Sequence, residues 1–306
     1  MNTKVRTMLC LMLLGVLLAL PARAETFTDA LGREVTLEQT PQRTVALLGS
    51  YGEVWLAAGG YLAGTTEDSV DTPAALAQGG IANLGSHSEP NMELLLSLDP
   101  DFVILSADAA AHPAIGDTLE AAGIPCAYFS MLDWEGYMEM LRTFTTITGQ
   151  EDLYQSQIET VEKPIRERIA QAQEQETYGT QTVLLLRAYS TSVKAKDSES
   201  TVAGPILKDM GLINIADSDS SLMENLTMES ILMADPDYIF VVTMGNDVEA
   251  AEQMLESALL SNPAWNTLTA VREGRYAMLD RDLFHYRPNT RWAEAYDFLW
   301  DLLYAQ

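Results

Sequence analysis

The chain has 306 residues, a formal net charge of −26 and 47% apolar side chains. So strong an excess of carboxylates over cations excludes a nucleic-acid partner and an anionic membrane surface, because nothing offsets phosphate repulsion. The length suits one large domain or two modest ones.

Residues 1–24 read as an export signal, not as fold. Lys4 and Arg6 precede an apolar run over 8–20, and Ala-Arg-Ala at 22–24 is a small-x-small cleavage pattern. The run is too short for a comfortable membrane span. Cleavage after Ala24 is expected, with Cys10 in front of the run and so unsuited to lipidation. A soluble, periplasmic or otherwise extracytoplasmic mature chain follows. Cys126 is then the only cysteine, so no intramolecular disulfide can form, and its strand-like neighbours make it a small buried hydrophobe.

Strand candidates come next in chain order: 43–49, 101–106, 125–130, 182–188, 238–243 and 275–280, each a β-branched or aromatic run. Helical patterns alternate with them, which predicts α/β units around a mostly parallel sheet. One passage is written twice. Met-Glu-x-x-Leu-x-x-Asp-Pro-Asp-aromatic occurs at 92–102 and again at 228–238, an offset of 136 residues (229 − 93). Asn91 and Thr227 are N-cap residues for two short helices, which the Asp-Pro-Asp then breaks. Two copies predict two similar lobes.

Between them, Leu153, Ile158, Val161, Ile165, Ile169 and Ala172 form one apolar stripe over 151–175, with Gly149 and the turn-rich 177–181 as ends. A single long helix kinked at Pro164 is expected. The domain reading is therefore a signal at 1–24, a first α/β lobe at 25–149, a linking helix at 150–177 and a second α/β lobe at 178–306. The ligand cleft lies between the lobes, outside the carboxyl ends of the strands. Charge is divided unevenly: 25–150 carries only Arg33, Arg43 and Arg142, whereas 187–291 carries nine cationic side chains.

The ordered set of stretches 26–47, 64–69, 84–105, 262–284 and 291–304, with the linking helix, resembles the class III extracytoplasmic substrate-binding proteins of ABC importers, which handle siderophores, haem and cobalamin. The resemblance covers essentially the whole mature chain. It implies a protein that captures a ferric siderophore, haem or cobalamin-type ligand and holds no cofactor of its own. Its expected partner is an ABC permease dimer with cytoplasmic ATPase subunits, and the chain itself is expected to be a monomer. It also implies that Glu93 and Glu229, one on each lobe, dock on arginine-bearing pockets of that two-fold permease. A first-turn Glu is favoured by the helix dipole without any partner, by about 0.3–1 kcal/mol; the repetition is what points to docking.

For the cleft, the loops after the strands offer Tyr51, His87, Trp134, Tyr189, Met244, Phe284 and Tyr286 for a large flat or apolar ligand. Arg187, Lys196 and Arg287 supply charge for carboxylate or catecholate groups. Tyr51, Tyr189, His285 and Tyr286 are also candidate haem ligands. A bare-metal receptor is disfavoured, since no two of His87, His112 and His285 lie at ligand spacing. A secreted hydrolase using cleft carboxylates is the rival of another class, although no G-x-S-x-G, H-E-x-x-H, phosphate-loop or C-x-x-C motif is present. A receptor that feeds a sensor is the third reading.

Overall fold

A computed structural model describes residues 24–245 and 247–305. The expected signal over 1–23 lies outside the described residues. An antiparallel hairpin, β1 (Glu25–Thr28) with β2 (Glu34–Leu37), opens the chain.

The first large sheet contains β3 (Thr44–Ala46), β4 (Leu62–Thr65), β5 (Ala82–Asn83), β6 (Phe102–Ser106) and β7 (Cys126–Phe129). Its order is β5-β4-β3-β6-β7 and all its pairings are parallel. The second contains β8 (Thr182–Tyr189), β9 (Ser192–Lys196), β10 (Ile213–Asn214), β11 (Tyr238–Thr243) and β12 (Tyr276–Met278). There β10-β8-β11-β12 are parallel and β9 folds back antiparallel on β8. Both sheets are α/β layers, and the central strands β6 and β11 are buried along their whole length, as a parallel sheet covered on both faces requires.

The repeated Asp-Pro-Asp does more than break a helix. Asp99 and Asp235 adopt left-handed backbone, φ 49° and 37°, a conformation Asp tolerates better than most residues. Two residues on, Asp101 accepts the Gln42 and Arg43 N–H groups at 2.8 Å each, tying down the entry to β3. Asp237 accepts the Thr182 N–H at 2.8 Å at the start of β8. Each repeat therefore anchors the first strand of its own lobe.

Seven helices matter below: α1 (Gly49–Ala57), α2 (Met92–Ser97), α3 (Trp134–Thr148), α4 (Glu151–Gln157), α5 (Lys163–Gln173), α6 (Met228–Ala234) and α7 (Trp292–Tyr304). Gly149, in left-handed conformation, caps α3. Helices α4 and α5 are joined by a π turn at Ile158–Glu162, just before Pro164, whose missing N–H the wider turn accommodates. The apolar stripe packs inward at Val161, Ile165 and Ala172, all fully buried, whereas Leu153 stays 36% exposed. Helix α7 lies against α5, with Arg168 paired to Asp297 at 2.5 Å and stacked over Trp300.

The outer face of each sheet has its own apolar cluster. The inner faces share one. Trp55, Phe102 and Phe144 of the first lobe, Val161 and Ile165 of the connector, and Leu185, Phe240 and Tyr296 of the second belong to a single continuous core. Each such side chain is worth about 1.5–3 kcal/mol when taken out of water, so a large rotation of one lobe against the other would expose many of them.

Candidate ligand-binding cleft

In the first sheet the chain reverses direction between β3 and β6, the crevice where ligands of open α/β sheets bind. Gly49 leaves β3 so close to the neighbouring loop that a Cβ would lie 2.2 Å from Ser69 Oγ. Tyr51, in the first turn of α1, is fully buried with its hydroxyl 3.4 Å from Ser106 Oγ at the end of β6. The Ser106 N–H donates to His112 Nδ1 at 2.8 Å, so Nε2 carries the ring proton and donates to the His87 carbonyl at 3.2 Å. Burial holds His112 below the usual histidine pKa, which keeps this tautomer neutral. Asp108 follows, bonded by Ser130 Oγ at 2.9 Å. Asp108 is exposed here, whereas Tyr51, Ser106 and His112 are buried behind it, and this side of the cleft is polar.

The second lobe presents the opposite chemistry. Arg187 lies near the end of β8, and Tyr189 and Met244 close β8 and β11, the Met244 N–H donating to the Ala188 carbonyl at 2.8 Å. Just after β12, Arg281 donates to the Gly245 carbonyl at 2.7 Å and to the Tyr286 hydroxyl at 3.0 Å. Tyr286 is 46% exposed and lies against His285 at 4.5 Å between ring centres. Burial, then the positive fields of Arg187, Arg281 and Arg287, push His285 down to about 4. The fields of three guanidinium groups thus reach a neutral imidazole. Among the described residues none of the three has a carboxylate within ion-pair distance, and Arg281 Nε and His285 Nδ1 are buried without a hydrogen-bond partner.

The lobes touch along one side of the cleft. Arg287 Nε donates to the Met131 carbonyl at 2.6 Å while its guanidinium lies 5.5 Å from the centre of the Tyr51 ring. Asn289, left-handed at φ 51°, donates to the Ser50 carbonyl and to Glu53 Oε2 at 3.2 and 3.1 Å. Ser69 donates to the other Glu53 oxygen at 2.9 Å. Burial raises the Glu53 pKa, and these two donors oppose that rise.

Several sequence-based expectations change here. Tyr51 is fully enclosed behind the cleft surface, its hydroxyl on the buried Ser106. Trp134 and Phe284 are core residues instead of cleft side chains: both are buried, Trp134 lies under Arg166 at 4.8 Å, and Phe284 packs edge-on against Phe298 of α7. Lys196 pairs with Leu185, not with the carboxyl end of β8, because β9 runs antiparallel and carries it back along the sheet. Arg187, Tyr189, Met244, Tyr286 and Arg287 do gather at the ends of the second sheet, and the exposed His87 side chain sits on the loop above His112. Arg281, Glu53, His112 and Asn289 were not singled out from sequence. Arg281 was findable, since it directly follows the 275–280 strand pattern; the others meet their partners only through tertiary contact.

Glu93 and Glu229 are exposed in the first turns of α2 and α6. Asn91 caps α2, and Thr227 with Ser230 forms a reciprocal capping box on α6. Among the described residues there is no cluster of three or more His, Cys, Asp or Glu side chains placed to hold a metal ion.

A family model described as periplasmic binding protein matches residues 44–283. The Fe(3+)-citrate-binding protein YfmC of Bacillus subtilis is 28% identical over 255 residues, 81% of this chain and 76% of that protein. The Fe(3+) dicitrate-binding periplasmic protein FecB of Escherichia coli is 26% identical over 278 residues, 87% and 86% of the two chains. Among solved structures, SirA of Staphylococcus aureus complexed with staphyloferrin B superposes with a TM-score of 0.71 at 18% identity, covering 91% of this chain and 98% of that one.

Proposed function

The chain belongs to the periplasmic binding protein family, and from that premise we propose that it captures a ferric complex of a polycarboxylate, of the citrate type, and delivers it to an ABC permease. It is a binding protein and not an enzyme.

The observation that carries the ligand class is the set of Arg187, Arg281 and Arg287 without neutralising carboxylates among the described residues. Guanidinium groups pair carboxylates in bidentate fashion, and each charge-assisted bond is worth about 1.5–3 kcal/mol. A polyanionic complex satisfies three such groups together; cobalamin does not. Tyr51, one candidate axial ligand for haem, is fully enclosed with its hydroxyl on Ser106. Two relatives bind ferric citrate by name. Cleft contacts are assigned to Arg187, Arg281, Arg287, Tyr189, Met244, Tyr286 and His87, facing the Ser106–Asp108 wall.

The signal is cleaved after Ala24, and the mature monomer has lobes 25–149 and 178–306 on a connector at 150–177. Glu93 and Glu229 meet a two-fold permease served by cytoplasmic ATPase subunits. Closure on the ligand is small, limited by the shared core and the Arg287–Asn289 contacts. The test is calorimetric titration of residues 25–306 with ferric citrate, haemin and cobalamin. Saturable binding of ferric citrate alone is the expected result. Binding of haemin or cobalamin in its place overturns the ligand class.

A further inference from the structure

We propose that Leu96 and Leu232, the leucines of the repeated frame, are the apolar anchors of the docking surface for a two-fold membrane partner, with Glu93 and Glu229 as its charged rim. This rests on the permease reading above.

The two helices are each pinned by one fully buried residue. Leu95 and Ile231, equivalent at the 136-residue offset, are each fully buried and pin α2 and α6 to their lobes. Glu93 and Leu96, and likewise Glu229 and Leu232, are three residues apart and therefore neighbours on one helix surface. Leu96 is 43% and Leu232 36% exposed. A single exposed leucine needs no explanation; a pair at equivalent positions does. Met92 and Met228 and the Asp-Pro-Asp that ends each helix are also kept, whereas Leu94 stands against Ser230, Ser97 against Met233 and Leu98 against Ala234. The partly buried Leu94 and Ser230 differ, while the exposed Glu and the exposed Leu are the same in both.

The division of labour follows from physical chemistry. Rim carboxylates steer the encounter and set its register, mainly through the association rate. Apolar side chains that enter a dry recess hold the complex once formed. The occupant that fits is a symmetric membrane protein offering two copies of a cation beside an apolar recess, because both lobes repeat one pattern and the shared core keeps their spacing fixed. Met233, 84% exposed beside Leu232, extends the apolar patch on the second lobe alone.

The test introduces the photo-crosslinker p-benzoylphenylalanine at position 93, 96, 229 or 232 of the full chain in its own cells, with positions 31 and 76 as exposed controls. The expected result is one and the same integral membrane permease polypeptide attached at all four positions and at neither control. Adducts at 93 and 229 with none at 96 and 232 overturn the leucine assignment and leave the permease reading intact. Adducts at none of the four overturn both. In a second measurement, dissociation from that permease in nanodiscs is followed for Leu96→Ser and Leu232→Ser. Each is expected to leave about fivefold faster, from the partial burial of one leucine, with an unchanged salt dependence, whereas Glu93→Gln and Glu229→Gln weaken the salt dependence of association. Unaltered dissociation of both leucine variants, with Tm also unaltered, overturns the proposal.

Discussion

At the ends of β6 and β7 the first lobe places Ser106, Asp108 and the Met131 carbonyl; at the ends of β8 and β12 the second places Arg187, Arg281 and Arg287. The two sheets reverse at equivalent points and anchor their first strands with the same Asp-Pro-Asp device. Yet one wall is neutral to acidic and the other cationic. The shared plan of the two sheets therefore sets the position of the cleft, while the side chains at and after the strand ends differ between the lobes. Helices α2 and α6 show the converse: the lobes remain alike at an exposed Glu and an exposed Leu.

The lobe comparison can be broken most severely at the cationic wall. Arg187→Ala with Arg281→Ala is expected to lower ferric citrate affinity at least 100-fold, since each loses a charge-assisted bond, whereas Ser106→Ala in the facing wall costs less than about tenfold; calorimetric titration decides. Equal losses from both walls would remove the asymmetry.

Next in size are the contacts that hold each lobe. Gly49→Ala drives a Cβ against Ser69 and Asp68 and is expected to destabilise by about 1–3 kcal/mol. Asp101→Ala and Asp237→Ala should each cost about 1–3 kcal/mol by leaving strand-entry N–H groups without their acceptor. Denaturant unfolding measures all three, and similar costs for the two aspartates are the signature of a shared device.

A smaller effect depends on pH. The His285 pKa falls from 6.5 to about 4 on folding, so between those values the unfolded chain binds more protons. The stability that His285 contributes is accordingly fully present above pH 6.5 and is lost as pH drops toward 4. His285→Gln should flatten that part of the thermal-melt profile. The smallest expected change is in Glu93→Ala and Glu229→Ala, which lose only a helix-dipole contribution of about 0.3–1 kcal/mol and leave ligand titration unchanged.

Much of this molecule was readable before folding. The strands 102–106, 182–189 and 238–243 are long apolar runs, and buried parallel strands write themselves that way. By contrast, β4, β5, β9 and β10 are short or polar and form because a neighbouring strand presents an edge, so their own residues say little. In the cleft, position after a strand led to Arg187, Arg287 and Tyr286, which lie beyond the strand ends of the second sheet. It failed for Trp134 and Phe284, because a large ring beside a strand end can turn inward as readily as outward.

The amino-acid sequence by itself determined the two-lobe plan, the helical connector and the doubled Glu-x-x-Leu surface, since periodicity, capping and breaking act over a few residues. Only the tertiary structure decided that the fields of Arg187, Arg281 and Arg287 meet at His285, that Asn289 reaches Glu53 across the cleft, and that the inner cores of both lobes are one. Those facts join residues far apart in the chain, and their distance in space is set by packing, which no local pattern records.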